Sequence, residues 1–503
     1  MKHLLTLLAV CAVFQSAAEA QDIKYRLYLT DKEGSEYCAL SERAQQRRAR
    51  QGIDLDSTDL VVSPRYLQAL TEAGYKVFLT SRWLNTVVAG HADGTPADSA
   101  ALAGLPFVRK VQPVEGPSQV EALSARRLRK WEGLSTADTV TDSFQKPMLE
   151  VNGQALYDAG YRGDDMLITM LDGGYTNATR YPVLSDKVVG WYDFYSSQDS
   201  AVFFSSSIHG TQCMSLMASD SCYGVWGTAP DARFFLIRTE FGDKEFPYEE
   251  DAWVAGAEMA DSLGSDLLTS SLGYYMFDDA RFDHLTDELA AGTAFISRGA
   301  EIATRKGMLV ICSAGNEGRP ASKWGKITFP ADAMDVLTVG ATDPDCKPGF
   351  FTSWGWLEPY VKPDLACRGQ QAYVLSAETG KPITGNGTSY AAPFFCGLMA
   401  SLWSAAPTLL PEQLRQAVRE SSSQYTVPDT LIGYGMPDFR IALQEALRLS
   451  GASGLEEVRP QEPVRRSFRY YDLQGRPLPR DERKVPSNCK FIVEKDGKIR
   501  VIR

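Results

Sequence analysis

Histidine is scarce in this chain of 503 residues, which contains only four. No His-Glu-x-x-His motif occurs and the cysteine spacing matches no zinc pattern, which excludes a zinc metallopeptidase of the common helical type. The net charge of −11 argues against nucleic acid as the main partner, because phosphate binding needs a basic surface. The uncharged stretch 383–411 contains three prolines and several polar residues, which favours a buried core helix over a membrane span.

The first twenty residues have the pattern of an export signal. Lys2 and His3 precede a mostly apolar run, Leu4–Phe14, and Ala18–Ala20 fits a small-x-small cleavage site. The alternative is a buried N-terminal helix. We therefore expect the mature chain to start near Gln21 and to be secreted or located at the cell surface. Export permits disulfides among the eight remaining cysteines without requiring them, and their pairing cannot be deduced from spacing.

The rest of the chain divides into a small α+β domain, a linker, a large α/β domain, a second linker and a β-rich tail. The predicted boundaries are 21–115, 116–145, 146–449, 450–466 and 467–503. In the first domain the patterns predict strands at Tyr25–Thr30, Tyr75–Ala89 and Phe107–Val111, and helices at Ser41–Gly52 and Ser63–Gly74.

Two short segments outside the large domain have distinctive compositions. The first linker contains a basic cluster, Arg126–Lys130, which is typical of a solvated linker and has a processing site as its alternative interpretation. In the tail, Phe468–Leu473 and Phe491–Ile502 have strand-like patterns, and a turn is predicted at Gln474–Gly475. The tail is thus predicted to be a short β module.

The large domain alternates apolar strands with longer helical segments. Met166–Leu171 and Gly307–Cys312 are nearly continuous apolar runs, as expected for central strands of a parallel sheet that is buried on both faces. The predicted fold class is therefore α/β, with a doubly wound and mostly parallel sheet.

Peptide-bond cleavage by a serine requires a base, an acid that orients the base, and donors for the oxyanion. Histidine is the natural base because its pKa lies near neutrality. His209 begins a helical segment of small and apolar residues, and Gly210 after it permits close backbone approach. His91 lies in a sequence typical of turns and His284 in a polar sequence typical of a surface, so His209 is the candidate base.

Asp172 and Ser389 are the candidate partners of this histidine. Asp172 follows a buried strand, at the edge where open α/β sheets place their active crevice, although a turn aspartate is the alternative interpretation. Ser389 lies in a glycine-rich turn that runs into an apolar helix. A serine there is ordinarily a helix cap, but its backbone N–H can also face a developing oxyanion.

Four sequence blocks together resemble the subtilisin-like serine peptidase family. They are Leu171–Gly174, His209–Thr211, Ser313–Gly318 and Gly387–Pro393, and the order Asp, His, Ser is that of subtilisin. The resemblance extends over 146–449. It implies a serine endopeptidase with a catalytic triad of Asp172, His209 and Ser389.

The same resemblance implies the remaining parts of the site. The Asn316 side chain and the Ser389 N–H would form the oxyanion hole, and Thr328 would lie near the floor of the main pocket. The implied substrate-binding residues are Ser271, Leu272, Gly273, Ser313, Ala314 and Gly315. No cofactor is implied for catalysis, and structural calcium is compatible with the family, without identified ligands.

The chain departs from the family pattern at three places. Gly173 follows the aspartate where the family more often has Ser or Thr, and 366–369 reads Ala-Cys-Arg-Gly in place of the usual Ala-Pro-Gly. Cys213 lies four residues after His209, on the same helical face. We interpret Cys213 as a buried free thiol, with a catalytic or metal-binding Cys–His pair as the alternative.

The flanking domains complete the functional hypothesis. The segment 24–115 resembles the inhibitory propeptide of the family, with a permanent accessory domain as the alternative, so polypeptide substrates and this intramolecular inhibitor are the expected partners. The tail resembles a type IX C-terminal sorting domain, which would engage secretion machinery; a plain β-hairpin module is the alternative. A silent peptide-binding pseudo-peptidase is the alternative function. An α/β-hydrolase esterase would need a Gly-x-Ser-x-Gly motif that Ser389 lacks.

Overall fold

The computed structural model describes residues 22–116, 135–136, 145–196, 198–219, 224–242, 244–451, 469–472, 491–495 and 498–502. The predicted export signal, the basic cluster of the first linker, the second linker from residue 452 onwards and the predicted turn at Gln474–Gly475 lie outside the described residues. Among the residues described, no helix has the length and apolarity that a membrane span needs.

The N-terminal domain is a four-stranded antiparallel sheet with three helices, in the sheet order β2-β3-β1-β4. Its elements are β1 (Asp22–Leu29), α1 (Glu42–Gln51), α2 (Pro64–Glu72), β2 (Lys76–Ser81), β3 (Thr86–Gly90), α3 (Ser99–Ala103) and β4 (Val108–Gly116). The Ser41 hydroxyl accepts a hydrogen bond from the Ala44 N–H and so caps α1, and Gly52 ends the helix in the left-handed conformation at φ 65°. The predicted α+β arrangement is confirmed.

The large domain is built on a seven-stranded parallel sheet in the order β12-β11-β10-β9-β6-β8-β7. Its strands are β6 (Leu167–Asp172), β7 (Val188–Asp193), β8 (Arg233–Arg238), β9 (Leu267–Ser270), β10 (Leu309–Ser313), β11 (Leu337–Thr342) and β12 (Leu365–Arg368). Every residue of β6, β10 and β11 is buried, so both faces of the sheet are covered. The α/β fold class is confirmed.

Along the chain, the described helices of this domain lie before, between and after the strands of the sheet. They are α4 (Lys146–Glu150), α5 (Gln154–Asp158), α6 (Pro182–Ser185), α7 (Ser200–Phe203), α8 (His209–Ala218), α9 (Tyr248–Leu263), α10 (Phe295–Arg305), α11 (Thr388–Ala405), α12 (Pro411–Glu420) and α13 (Phe439–Leu449). Helix α11 lies against strands β9 to β12 and is buried from Thr388 to Trp403. Most of the uncharged stretch is therefore a core helix.

Two smaller sheets contain the remaining strands. A short strand of the first predicted linker, β5 (Ser135–Thr136), pairs antiparallel with β14 (Pro382–Gly385), which also pairs with β13 (Ala372–Leu375). In the C-terminal unit, β15 (Arg469–Asp472), β16 (Phe491–Lys495) and β17 (Lys498–Ile502) form an antiparallel sheet in that order. The second strand-like segment of the tail is thus two strands.

Candidate active site

The carboxyl ends of neighbouring parallel strands place three parts of the candidate site at one edge of the sheet. Asp172 is the last residue of β6, Ser271 follows β9 directly, and Ser313 ends β10. Since β9 lies between β6 and β10, these three residues are neighbours across the sheet. This edge is where open α/β sheets form their binding crevice.

His209 is brought to the same edge by the first turn of α8. The Gly210 N–H donates to the Gly174 carbonyl at 3.0 Å, and a Cβ at Gly210 would lie 2.5 Å from that oxygen. The predicted close backbone approach is therefore real, and a larger residue at this position would push the histidine away from the loop that follows Asp172.

Asp172 and His209 form a buried hydrogen-bonded pair. The His209 Nδ1 lies 2.8 Å and 2.9 Å from the two carboxylate oxygens, so a proton on Nδ1 is donated to Asp172 and Nε2 remains the basic nitrogen. Burial opposes protonation, but the adjacent carboxylate outweighs it and raises the pKa of His209 well above its ordinary value. Although Gly173 offers no hydroxyl, its backbone N–H donates to Asp172 at 2.8 Å.

Ser389 lies in the first turn of α11, next to this pair. Its hydroxyl oxygen is 3.4 Å from the Ser271 carbonyl oxygen, and its own carbonyl accepts a hydrogen bond from the Ser271 hydroxyl at 2.9 Å. A backbone N–H in the first turn of a helix has no partner within the helix. The Ser389 N–H is thereby suited to binding an anion that develops near the hydroxyl.

Cys213 packs between the histidine and the serine. Its Sγ is 3.9 Å and 3.8 Å from the His209 ring nitrogens Nδ1 and Nε2, and donates to the Ser389 carbonyl at 3.3 Å. Burial is the largest influence on this thiol and raises its pKa, so the thiol stays protonated. The interpretation as a buried free thiol fits this geometry, since the thiolate is the form that attacks carbonyls or binds metals.

The Asn316 amide has a defined orientation. Its Oδ1 accepts hydrogen bonds from the Thr388 backbone N–H at 2.9 Å and from the Thr388 hydroxyl at 3.0 Å. Because a backbone N–H can only donate, the oxygen must be the atom that faces Thr388. The NH₂ group of Asn316 is thus left as a donor beside the turn that carries Ser389.

Ser389 and Asn316 line a common cavity of about 390 Å³. Of the predicted substrate-binding residues, four line it, namely Ser271, Gly273, Ser313 and Gly315. The side chains of the other two, Leu272 and Ala314, are buried in the core. Residues that the sequence analysis missed complete the wall: Glu245, Tyr275, Met276, Phe277, Asp278, Glu317 and Arg319.

The N-terminal domain contacts α9 of the large domain through buried ion pairs, which the sequence analysis also missed. Arg47 and Arg48 each donate to a carboxylate oxygen of Asp261 at 2.6 Å. Arg82 makes ion pairs with Asp261 at 2.9 Å and with Glu258 at 3.4 Å. The Asp261 side chain is fully buried, so loss of its arginine partners would leave an uncompensated charge in the interface.

One potential metal-binding group occurs among the described His, Cys, Asp and Glu residues. It consists of Asp172, His209 and Cys213, whose ligand atoms lie within 4.8 Å of one another. Calcium prefers six to eight oxygen ligands, and this set contains a nitrogen, a sulfur and one carboxylate. The group therefore does not fit the structural calcium that the resemblance allows.

Comparison with known proteins assigns both large parts of the described chain to families. The model of the subtilase family matches residues 163–435, and that of the Bacteroidota peptidase S8 propeptide domain matches residues 24–127. Among curated proteins, Subtilisin DY of Bacillus licheniformis is 28% identical over 288 residues, which are 57% of this chain and 93% of the relative. Subtilisin E of Bacillus subtilis (strain 168) is 25% identical over 297 residues, 59% of this chain and 70% of the relative.

Solved structures include the MycP3 protease from the type VII (ESX-3) secretion system. It is 22% identical, with a TM-score of 0.49 and coverage of 65% of this chain and 99% of that protease.

Proposed function

Because the chain belongs to the subtilase family, we propose that it is a secreted serine endopeptidase made as a zymogen. The observation that carries the proposal is the Asp172–His209 pair in the same contact cluster as Ser389, which lines a cavity with Asn316. In the proposed mechanism the Ser389 hydroxyl attacks the substrate carbonyl. His209 takes the hydroxyl proton through Nε2 and returns it to the leaving amine.

Three neighbouring groups have supporting roles in this mechanism. Asp172 accepts the Nδ1 proton of His209, which orients the ring and stabilises the imidazolium as it forms. The Asn316 NH₂ group and the Ser389 N–H would bind the oxyanion. No cofactor is part of the proposal.

The N-terminal domain is proposed to be the intramolecular inhibitor. The match to a propeptide domain and the buried ion pairs with α9 support this role. Export by the first twenty residues and engagement of secretion machinery by the tail belong to the same proposal, on the strength of their sequence patterns.

Ser389→Ala is the variant that tests this function. We expect the wild-type protein to lose its N-terminal segment and to react with a fluorophosphonate probe, and the variant to do neither, because the attacking oxygen is gone. Intact mass, N-terminal sequencing and probe labelling measure both events. Ser404→Ala, a serine of the same helix whose hydroxyl bonds to the Ser401 carbonyl, is the matched control and should behave as wild type.

Other outcomes of this experiment are equally informative. If both proteins stay full length and only wild type is labelled, the site is active and another protease performs maturation. A folded wild type that never takes the probe, even after removal of its N-terminal segment, contradicts the peptidase and favours the peptide-binding pseudo-peptidase.

Thr328 is expected to restrict the substrate residue on the acyl side of the cut bond. A Cβ at Gly273 would lie 2.0 Å from the Thr328 Oγ1, and one at Gly315 would lie 3.2 Å from it, so this side chain fills space between two glycine walls of the cavity. Phe and Tyr should be disfavoured there. Thr328→Gly should raise kcat/KM for Phe relative to Ala by about tenfold or more.

A peptide library with this position varied measures the preference, and Thr328→Val, which keeps the volume, serves as control. A wild-type profile dominated by Phe or Tyr would contradict the prediction.

A further inference from the structure

Arg26 of the N-terminal domain inserts its guanidinium group into a recess of the large domain. It lies on β1 and is fully buried. Its Nε donates to Asp251 Oδ1 at 2.8 Å and its Nη2 donates to Asp251 Oδ2 at 2.5 Å, the two-pronged geometry that fits a carboxylate. Its Cζ lies 3.7 Å from the centre of the Phe295 ring. The charge and the planar shape of the group are thus both recognised.

The residues that bind this guanidinium belong to the large domain. Asp251 lies in the first turn of α9 and Phe295 begins α10, while Glu250 lies 3.8 Å from the arginine. A cavity of about 370 Å³ lies beside them between the two domains, with Arg26 and Gln112 of the N-terminal domain and Glu250 of the large domain in its wall. Phe277 lines both this cavity and the one that contains Ser389. The recess is therefore next to the candidate cleft.

In the described recess wall, the cations other than Arg26 are paired with carboxylates other than Asp251. Glu250 accepts a hydrogen bond from His284 at 2.8 Å, and His284 is also 2.9 Å from Glu288. Burial opposes the charge of His284, but the two carboxylates prevail and raise its pKa to about 9, so it is cationic at neutral pH and compensates Glu250. Arg281, also in the cavity wall, is paired with Asp279. The ion-pair partner of Asp251 is Arg26.

Removal of the N-terminal domain takes this partner away. The Asp251 carboxylate, which is buried in the precursor, then faces an opening together with the Phe295 ring. A second guanidinium from a polypeptide would restore both the paired hydrogen bonds and the stacking. A lysine ammonium would restore the positive charge, but it could form neither the paired hydrogen bonds to Asp251 nor the stacking on Phe295.

We propose that the recess formed by Glu250, Asp251 and Phe295 is an arginine-binding subsite for polypeptide substrates, which Arg26 occupies in the precursor. This inference rests on the proposed peptidase function and specifies its substrate class: peptides with an arginine at a fixed distance from the cut bond. The N-terminal domain thereby blocks a specificity site in addition to covering the large domain.

The first experiment uses processed wild-type enzyme and peptides with one cleavable bond. A single position is varied along the peptide, on both sides of that bond, as Arg, Lys, Ala or citrulline, the uncharged analogue of arginine. At one position we expect kcat/KM for Arg to exceed that for citrulline and Ala by about tenfold to a hundredfold, with Lys between them. Equal values for Arg and citrulline at every position would overturn the proposal.

The second experiment assigns the preference to the recess. Asp251→Asn should reduce the Arg-to-citrulline ratio to near one. Asp261→Asn is the matched control, because Asp261 lies on the same helix and also binds arginines of the N-terminal domain, but these are Arg47, Arg48 and Arg82 and not Arg26. It should keep the wild-type ratio. An arginine preference that survives in Asp251→Asn would place its origin at other carboxylates of the cleft, such as Glu245 or Glu317, and overturn the proposal.

A binding measurement separates failure of this inference from failure of the peptidase function. A fluorescent peptide with the sequence of 22–29 and its Arg26→citrulline form are titrated into Ser389→Ala protein whose N-terminal segment has been removed by an added protease. The arginine peptide should bind about tenfold more tightly or better. Equal affinities overturn the arginine subsite whether or not the wild-type protein reacts with fluorophosphonate. If Asp251→Asn does not fold, this measurement still tests whether the recess binds arginine.

Discussion

Replacement of Asp172 by asparagine should lower kcat about 10,000-fold, the magnitude known for this change in a serine peptidase triad. In the structure both carboxylate oxygens lie within 2.9 Å of His209 Nδ1. An amide in the same place brings an NH₂ group towards Nδ1, which favours the tautomer with its proton on Nε2. His209 would then be unable to accept the Ser389 proton. The amide also removes the negative charge that stabilises the imidazolium.

The measurement is kcat for a peptide substrate with purified, processed protein, together with a thermal unfolding curve. The Gly173 N–H can still donate to the amide oxygen, so the variant should unfold near the wild-type temperature. Asp345→Asn, an exposed change of the same chemistry, should keep wild-type kcat. A loss smaller than tenfold in a folded Asp172→Asn protein would contradict the role assigned to this carboxylate.

Replacement of Asn316 by alanine should lower kcat about 100- to 1,000-fold with little change in KM, the magnitude found for such a donor in subtilisin itself. The Oδ1 atom is held by two hydrogen bonds from Thr388, which leaves the NH₂ group for the oxyanion. In the proposed mechanism that group interacts with charge that exists only in the transition state. The loss should therefore appear in kcat and not in substrate binding.

Asn316→Asp is the matched variant for this prediction. An aspartate keeps the acceptor for the Thr388 N–H and hydroxyl but has no NH₂ group, and it adds a negative charge beside the oxyanion. Its kcat should fall at least as far as that of Asn316→Ala. An aspartate variant with near wild-type kcat would show that the alanine effect comes from a disturbed start of α11.

Sequence patterns were sufficient to predict the parallel sheet and to place Asp172 at the carboxyl end of one of its buried strands. Continuous apolar runs indicate strands that are buried on both faces, and such strands place their following residues at a common edge. Met166–Leu171 was predicted as a strand, and the structure has β6 one residue later, at Leu167–Asp172. Asp172 is thus the last strand residue and not the first loop residue, which fixes its backbone more firmly.

Side-chain alternation would have predicted which of the candidate substrate-binding residues line the cavity and which are buried in the core. Side chains alternate in extended backbone. With Ser271 and Gly273 in the cavity wall, Leu272 between them points to the core, where it is 1% exposed. Ala314, between Ser313 and Gly315, is likewise fully buried. Its two neighbours line the cavity.

The ion pairs between domains could not be predicted from one sequence. Arg26 and Asp251 are separated by 225 residues, and Arg47 and Asp261 by 214. Arginines in a polar domain normally indicate a solvated surface, and no local pattern identifies a partner so far along the chain. A weak signal did exist on α9, where Asp251, Glu258 and Asp261 recur at helical spacing on a largely buried helix.

Strand β5 divides the possible cut sites of the proposed maturation into two classes, those before the strand and those after it. Its two residues, Ser135–Thr136, pair with β14, which ends at Gly385, four residues before Ser389. A cut between Gly116 and Ser135 would free the proposed inhibitor and leave this edge strand attached to the new amino terminus, where its pairing with β14 supports the turn that carries Ser389. A cut after Thr136 would remove strand β5 together with the proposed inhibitor. The two processed forms should therefore differ in the rigidity of that turn, although both contain the candidate catalytic residues.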